Sequence, residues 1–121
     1  MSDAELFDIK DLSARQDGEG RRYLEFLHVP AMSAGVYVLA AGSEDPQSPH
    51  GEDELYHVLT GRAVLTAGER EYEVAAGSLC FVPAGMPHRF HTITEDLRVL
   101  VFFAPCEREP DAPAAPDAVR P

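Results

Sequence analysis

From about residue 22 to residue 104 the chain is a succession of short runs of β-forming residues broken by glycine and proline, with almost no helical periodicity. Such close punctuation belongs to an all-β sandwich or barrel. The runs are Arg22 to His28, Val36 to Ala41, Glu54 to Thr60, Arg62 to Ala67, Glu71 to Val74, Leu79 to Val82, His88 to Thr92 and Leu97 to Phe103, which predicts about eight antiparallel strands. Gly68, inside Thr66-Ala67-Gly68-Glu69-Arg70-Glu71-Tyr72, suits the positive φ of a tight hairpin turn. Gly61 lies between two strand-like runs and predicts a bend or bulge. Thr94-Glu95-Asp96 reads as a further turn.

The 121 residues hold one domain, and 45% apolar residues supply a core for it. Residues 1–21 read as an N-terminal extension, forming an edge strand or a short helix; residues 22–104 as the barrel; and residues 105–121 as a mobile tail. That tail carries five prolines and, apart from Val119, no large aliphatic residue, so burial cannot offset the entropy of ordering it.

Ten Lys and Arg against 21 Asp and Glu give a net charge of −11, which argues against nucleic acid or an anionic membrane as a partner. No apolar run approaches the ~20 residues that span a bilayer, and the acidic N-terminus has no signal-type apolar region. Cys80 and Cys106 are too few for a disulfide framework and lack metal-type spacing. A cytoplasmic protein is expected.

Two segments carry the chemistry. One is Pro49-His50-Gly51-Glu52-Asp53-Glu54-Leu55-Tyr56-His57-Val58-Leu59-Thr60-Gly61. The other is Gly77-Ser78-Leu79-Cys80-Phe81-Val82-Pro83-Ala84-Gly85-Met86-Pro87-His88-Arg89-Phe90-His91. They resemble the two motifs of the cupin superfamily. The first motif runs histidine, three or four residues, glutamate, six residues, glycine, and is matched by His50, Glu54 and Gly61. The second runs glycine, five residues, proline, one, glycine, two, histidine, and is matched by Gly77, Pro83, Gly85 and His88. The resemblance implies a single-domain jelly-roll barrel with one divalent transition metal ion (Fe, Mn, Ni, Cu or Zn) held by His50, Glu54 and His88. A second histidine, usual in the family, is Ser48 here, so Glu52 or water would have to replace it.

The residue types agree with that implication. Imidazole and carboxylate together suit these metals, and two histidines with one carboxylate leave positions open for a substrate. His50 and Glu54 would lie ~13 Å apart on a straight strand, so the chain must bend between them, and Gly51 permits it. Strand parity then sets Glu54, Tyr56 and Val58 on one face, and His88, Phe90 and Thr92 on one face. Tyr56 and Phe90 are expected to wall a substrate pocket. His28, His57 and His91 are read as structural or surface residues, Glu52 as a solvated loop acid, and Cys80 as a small buried hydrophobe.

The resemblance implies a metal-dependent enzyme on a small organic molecule, of dioxygenase, isomerase or decarboxylase type. The alternative is a non-catalytic module that binds a metal or small ligand. It also implies a homodimer through paired sheets, to which the outward-facing Leu55 and Leu59 are suited.

Overall fold

The computed structural model describes residues 3–46 and 50–106. Ser48 and most of the proline-rich tail lie outside the described residues. The elements are α1 (Ile9–Glu19), β1 (Tyr23–Val29), β2 (Met32–Leu39), β3 (Asp53–Ala67), β4 (Arg70–Ala75), β5 (Leu79–Val82) and β6 (His88–Ala104). All strand pairs are antiparallel, in the order β1-β2-β6-β3-β4, with β5 added to β3. The fold is all-β, as expected.

Fewer strands are present among the described residues than the sequence reading predicts, because two pairs of runs fuse. β3 continues through Gly61, and β6 continues through Thr94-Glu95-Asp96 where a turn was expected. Both strands bend without ending. Their register slips between Val58 and Val64, and Arg62 pairs Glu95 while Val64 pairs His91, so β6 carries extra residues there. Thr92 takes a positive φ of 50°, rare for a β-branched residue, and this reverses the alternation. Phe90 and Ile93 are therefore buried, and Thr92, expected to share the face of His88 and Phe90, is exposed.

The β3–β4 hairpin closes as the sequence suggests, with Ala67 paired to Arg70 and Gly68 at φ 60°. β3 and β6 traverse the whole molecule. The first half of β3 lies between β5 and the end of β6, and its second half between β4 and the start of β6. Their inward residues, with Tyr23, Tyr37, Leu39, Val74 and Val82, make one continuous core.

The N-terminal segment is a helix, and its sequence gives little periodic warning of it. Asp8 caps α1 by accepting from the Lys10 and Asp11 backbone N–H groups, and the chain leaves through N–H bonds from Gly20 to Asp17 and from Arg21 to Gln16. Only Leu12 and Gln16, one turn apart, are buried. Leu12 joins Leu24, Val36 and Leu100 in a small second core, with Phe26, Leu59 and Phe102 packed on it. Leu59 is thus half covered by this cluster, and the outward apolar face consists of Leu55, Leu79 and Phe81 instead. No helix among the described residues is long and apolar enough to cross a membrane.

Gln16 docks the helix. Its Nε2 donates to the Val36 carbonyl at 2.7 Å and the Arg22 carbonyl at 3.1 Å, while its Oε1 accepts from Arg98 at 3.0 Å. Gln16→Ala strands these groups, so denaturant unfolding should show a loss of about 2 kcal/mol. A loss below about 0.5 kcal/mol, the ordinary surface range, would mean that the helix is not held this way.

Candidate functional site

The two motif segments are stitched together by hydrogen bonds of the turn backbone. The turn between β5 and β6 gives its Gly85 N–H to the His50 carbonyl at 2.7 Å and its Ala84 N–H to the Asp53 carboxylate at 2.9 Å. The Pro87 carbonyl accepts from Gly68 at 2.9 Å. The loop ahead of β3 and the loop ahead of β6 therefore sit side by side, and His50 lies in a loop, as the bend at Gly51 requires.

Strand alternation does the rest. Glu54, Tyr56 and Val58 are buried, while Asp53 and Leu55 are exposed, so the parity expected for β3 holds as far as Val58, ahead of the bend. On β6, His88 and Phe90 point inward and Arg89 points out. Glu54 Oε1 lies 3.1 Å from His88 Nε2, and both side chains are 1% exposed. The Tyr56 hydroxyl lies 3.0 Å from the same Nε2. Phe90 packs edge-on against Tyr56 at 5.0 Å between ring centres. Tyr56 and Phe90 are thus fully buried around the pair.

The His88 ring is fixed from its other side, where Nδ1 donates to the Met86 carbonyl at 2.8 Å. That bond aims Nε2 at Glu54, the arrangement by which proteins orient a ligating imidazole. Burial pulls the His88 pKa down. The Glu54 carboxylate, the Met86 carbonyl and the charge of Asp45 outweigh burial and hold it above the ordinary histidine value. In the metal-free protein His88 Nε2 therefore faces Glu54 Oε1 at hydrogen-bonding distance. Burial first, and then Glu54, push the Tyr56 phenol well above its usual range, so it stays protonated.

His50 stands beside this pair. Its ring packs edge-on against Phe103 at 5.3 Å and lies 6.5 Å from the His88 ring, centre to centre. Two imidazoles on one ion, each with a metal–nitrogen bond of ~2.1 Å and a ring centre about 1.1 Å further on, are at most ~6.4 Å apart. At 6.5 Å the rings lie beyond even that straight-line limit, and tetrahedral angles at the ion would need them ~5.2 Å apart, so His50 as placed does not share a point with His88. Among the described residues no three His, Cys, Asp or Glu side chains already close around a single point. The donor chemistry nevertheless fits a divalent cation: Glu54 Oε2 is buried with no hydrogen-bond partner, and His88 Nε2 faces the same carboxylate.

The other candidates separate from this centre. His91 faces outward, bonded to the Thr66 hydroxyl at 2.7 Å and lying 3.9 Å from Glu71. His28 contacts Glu25 on the surface. His57 is half-buried on the outward parity of β3. Burial raises the Cys80 thiol pKa, which makes it a poor nucleophile. Glu52, expected as a solvated loop acid, is buried. A cleft of about 370 Å³ is lined elsewhere, by Arg62, Glu73, Ser78, Thr92 and their neighbours.

One interior residue gave no sequence signal. Asp45, in a Gly/Ser/Pro-containing loop that reads as an ordinary turn, is buried, and it accepts from the Tyr37 hydroxyl at 2.5 Å and the Phe90 N–H at 2.9 Å.

The bent antiparallel strands, the adjoining loops and the inward histidine and glutamate are the features by which this chain can be compared with known proteins. The cupin-domain family profile matches residues 35–103. The chain is a cupin. It is 48% identical over 101 residues to the protein SCO3923 of Streptomyces coelicolor, covering 84% of this chain and 96% of that one. The crystal structure of TT1209 from Thermus thermophilus superposes with a TM-score of 0.69 at 31% identity, covering 85% of this cupin and 99% of TT1209. An RmlC-like cupin of Methanocaldococcus jannaschii, described as a double-stranded β-helix, gives a TM-score of 0.63 at 18% identity, over 69% of this chain and 78% of its own. The last likeness concerns the fold alone.

Proposed function

We propose that this cupin binds one divalent transition metal ion through His50, Glu54 and His88 and acts on a small organic molecule as a metal-dependent enzyme in the cytoplasm. The observation that carries this reading is the buried His88–Glu54 pair, whose histidine is oriented from behind by the Met86 carbonyl. Burying a carboxylate and an imidazole together contributes little net stability, because desolvation offsets their attraction. A cation on the same two groups gives that burial a chemical purpose.

A bound metal would supply a Lewis acid able to polarise an oxygen of the ligand. The remaining work belongs to the chain. The Met86 carbonyl keeps the His88 proton on Nδ1 and leaves Nε2 as the donor atom. Glu54 supplies the negative charge. Tyr56, held protonated, is a hydrogen-bond donor 3.0 Å from Nε2, and Phe90 and Phe103 exclude water from the neighbourhood. Reactions of dioxygenase, isomerase or decarboxylase type all use such a centre.

The non-catalytic binding module has its own support, since the Tyr56 hydroxyl is already engaged with His88. Turnover of a carbonyl and catechol panel with Fe(II), Mn(II), Ni(II) or Zn(II) separates the two readings. Ligand-induced shifts in melting temperature without turnover would favour the module. A homodimer would use the exposed Leu55, Leu79 and Phe81 of β3 and β5, where Leu55 pairs Phe81 and Leu79 pairs His57.

Elemental analysis of tag-free protein tests the metal. About one equivalent is expected, lost in His50→Ala and His88→Ala and kept in His91→Ala. Equal retention in all three would end the assignment.

A further inference from the structure

We infer that the Met86 side chain is a positioning group for the candidate centre: it seats the turn of residues 83–87 against the barrel, and that turn sets the His88 ring and the His50 backbone. The inference rests on the reading of His50, Glu54 and His88 as a cation site.

The backbone of this turn reaches both histidines. Its Gly85 N–H donates to the His50 carbonyl at 2.7 Å, its Ala84 N–H to the Asp53 carboxylate at 2.9 Å, and its Met86 carbonyl accepts from His88 Nδ1 at 2.8 Å. The two imidazoles are therefore only as well placed as the turn itself. The cupin motif specifies Gly85 and His88 and leaves the two residues between them open, so the family pattern alone does not say what holds the turn in place.

Met86 supplies that hold. Pro83, Ala84, Gly85 and Pro87 are exposed, whereas Met86 is half-buried and packs on the main core. It is the turn's one apolar anchor. The same side chain lies over the β3–β4 hairpin, where a methyl group at Gly68 would meet its Sδ and Cε at 3.6 Å. Gly68 also gives its N–H to the Pro87 carbonyl at 2.9 Å. The thioether and this bond together clasp residues 86 and 87 to the hairpin, immediately ahead of His88. An unbranched thioether suits the irregular gap between a turn, a hairpin and a core. It carries no charge, so truncating it changes no electric field at His88 and acts only through where the turn sits.

The test uses full-length protein labelled with 15N-histidine, with Co(II) as the metal probe. Met86→Ala keeps every backbone group of the turn and removes the anchor. It should move the His88 ring 15N resonances, leave those of the surface residue His28 in place, and weaken Co(II) binding at least tenfold, as disturbing the group behind a ligating imidazole does. Met86→Leu, close in volume and equally apolar, should restore the resonances and bring Co(II) affinity back to within about threefold of wild type. Met86→Val lacks the Sδ and Cε that lie over Gly68, and it carries the test if Met86→Ala does not fold. A lowered melting temperature with wild-type His88 resonances and wild-type Co(II) affinity, in folded Met86→Ala or Met86→Val, would make Met86 an ordinary packing residue and overturn the inference. If wild-type protein takes up no Co(II), the metal reading falls alone, and the His88 resonances of the metal-free variants still decide the role of Met86.

Discussion

Gly61→Ala is expected to remove at least about 3 kcal/mol of folding stability, a large part of the margin that a single domain has. A methyl group there would stand 2.3 Å from the Asp96 carbonyl oxygen, 2.7 Å from the Leu97 Cα and 2.8 Å from the Asp96 carbonyl carbon. All three are backbone atoms of the facing strand, which cannot rotate away as a flexible side chain can. Gly61 also has φ 99°, where an L-residue is strained by roughly 1–2 kcal/mol. Gly77→Ala separates the two costs. Gly77 has φ 94° but nothing within 4 Å of its added methyl, so it should lose only the conformational part, about 1–2 kcal/mol. Denaturant melts of the two variants should differ by at least about 2 kcal/mol, the share assigned to the clash with β6. Equal losses would mean that β3 and β6 do not approach as closely at this bend as described.

The second large effect concerns Glu54. Glu54→Gln keeps the volume and an oxygen but removes the charge, so the divalent cation loses the one carboxylate of its set. Metal dissociation constants should rise at least about 100-fold, or ~2.7 kcal/mol, read by titration with a competing chelator. The melting temperature of the metal-free variant should move by only a few degrees, because a neutral amide beside His88 avoids desolvating a charge. Large loss of affinity with small loss of stability marks a ligand. The reverse, a collapse in stability with metal affinity intact, would mark Glu54 as a structural partner of His88 and remove it from the metal set.

Much of this was legible in the sequence because alternation is a strong signal when one face is buried. The period-two pattern of β3 set Glu54 and Tyr56 on one face, the resemblance of the two motifs to cupins turned that face inward, and the Pro83-Ala84-Gly85 turn announced the return that brings His88 beside them. The bends were legible only in part. Gly61 pointed to one, but a β-branched Thr92 at positive φ has no sequence mark, so the parity reading failed from that residue onward. Helix α1 escaped periodicity because it buries only Leu12 and Gln16; its Asp8 cap and closing Gly20 were the available signals. Asp45 escaped for a different reason: a loop acid reads as solvated, and only the fold reveals that it is buried and bonded to the Tyr37 hydroxyl and the Phe90 amide, among others.

The most direct measurement is anomalous diffraction from crystals of the tag-free protein grown with Mn(II), Fe(II), Ni(II) or Zn(II). One peak is predicted ~2.0–2.2 Å from a His50 ring nitrogen, a Glu54 carboxylate oxygen and His88 Nε2, with the His50 ring turned inward from its place against Phe103. A metal-loaded solution whose crystals show the His88–Glu54 hydrogen bond intact, and the anomalous density elsewhere or absent, would contradict the account.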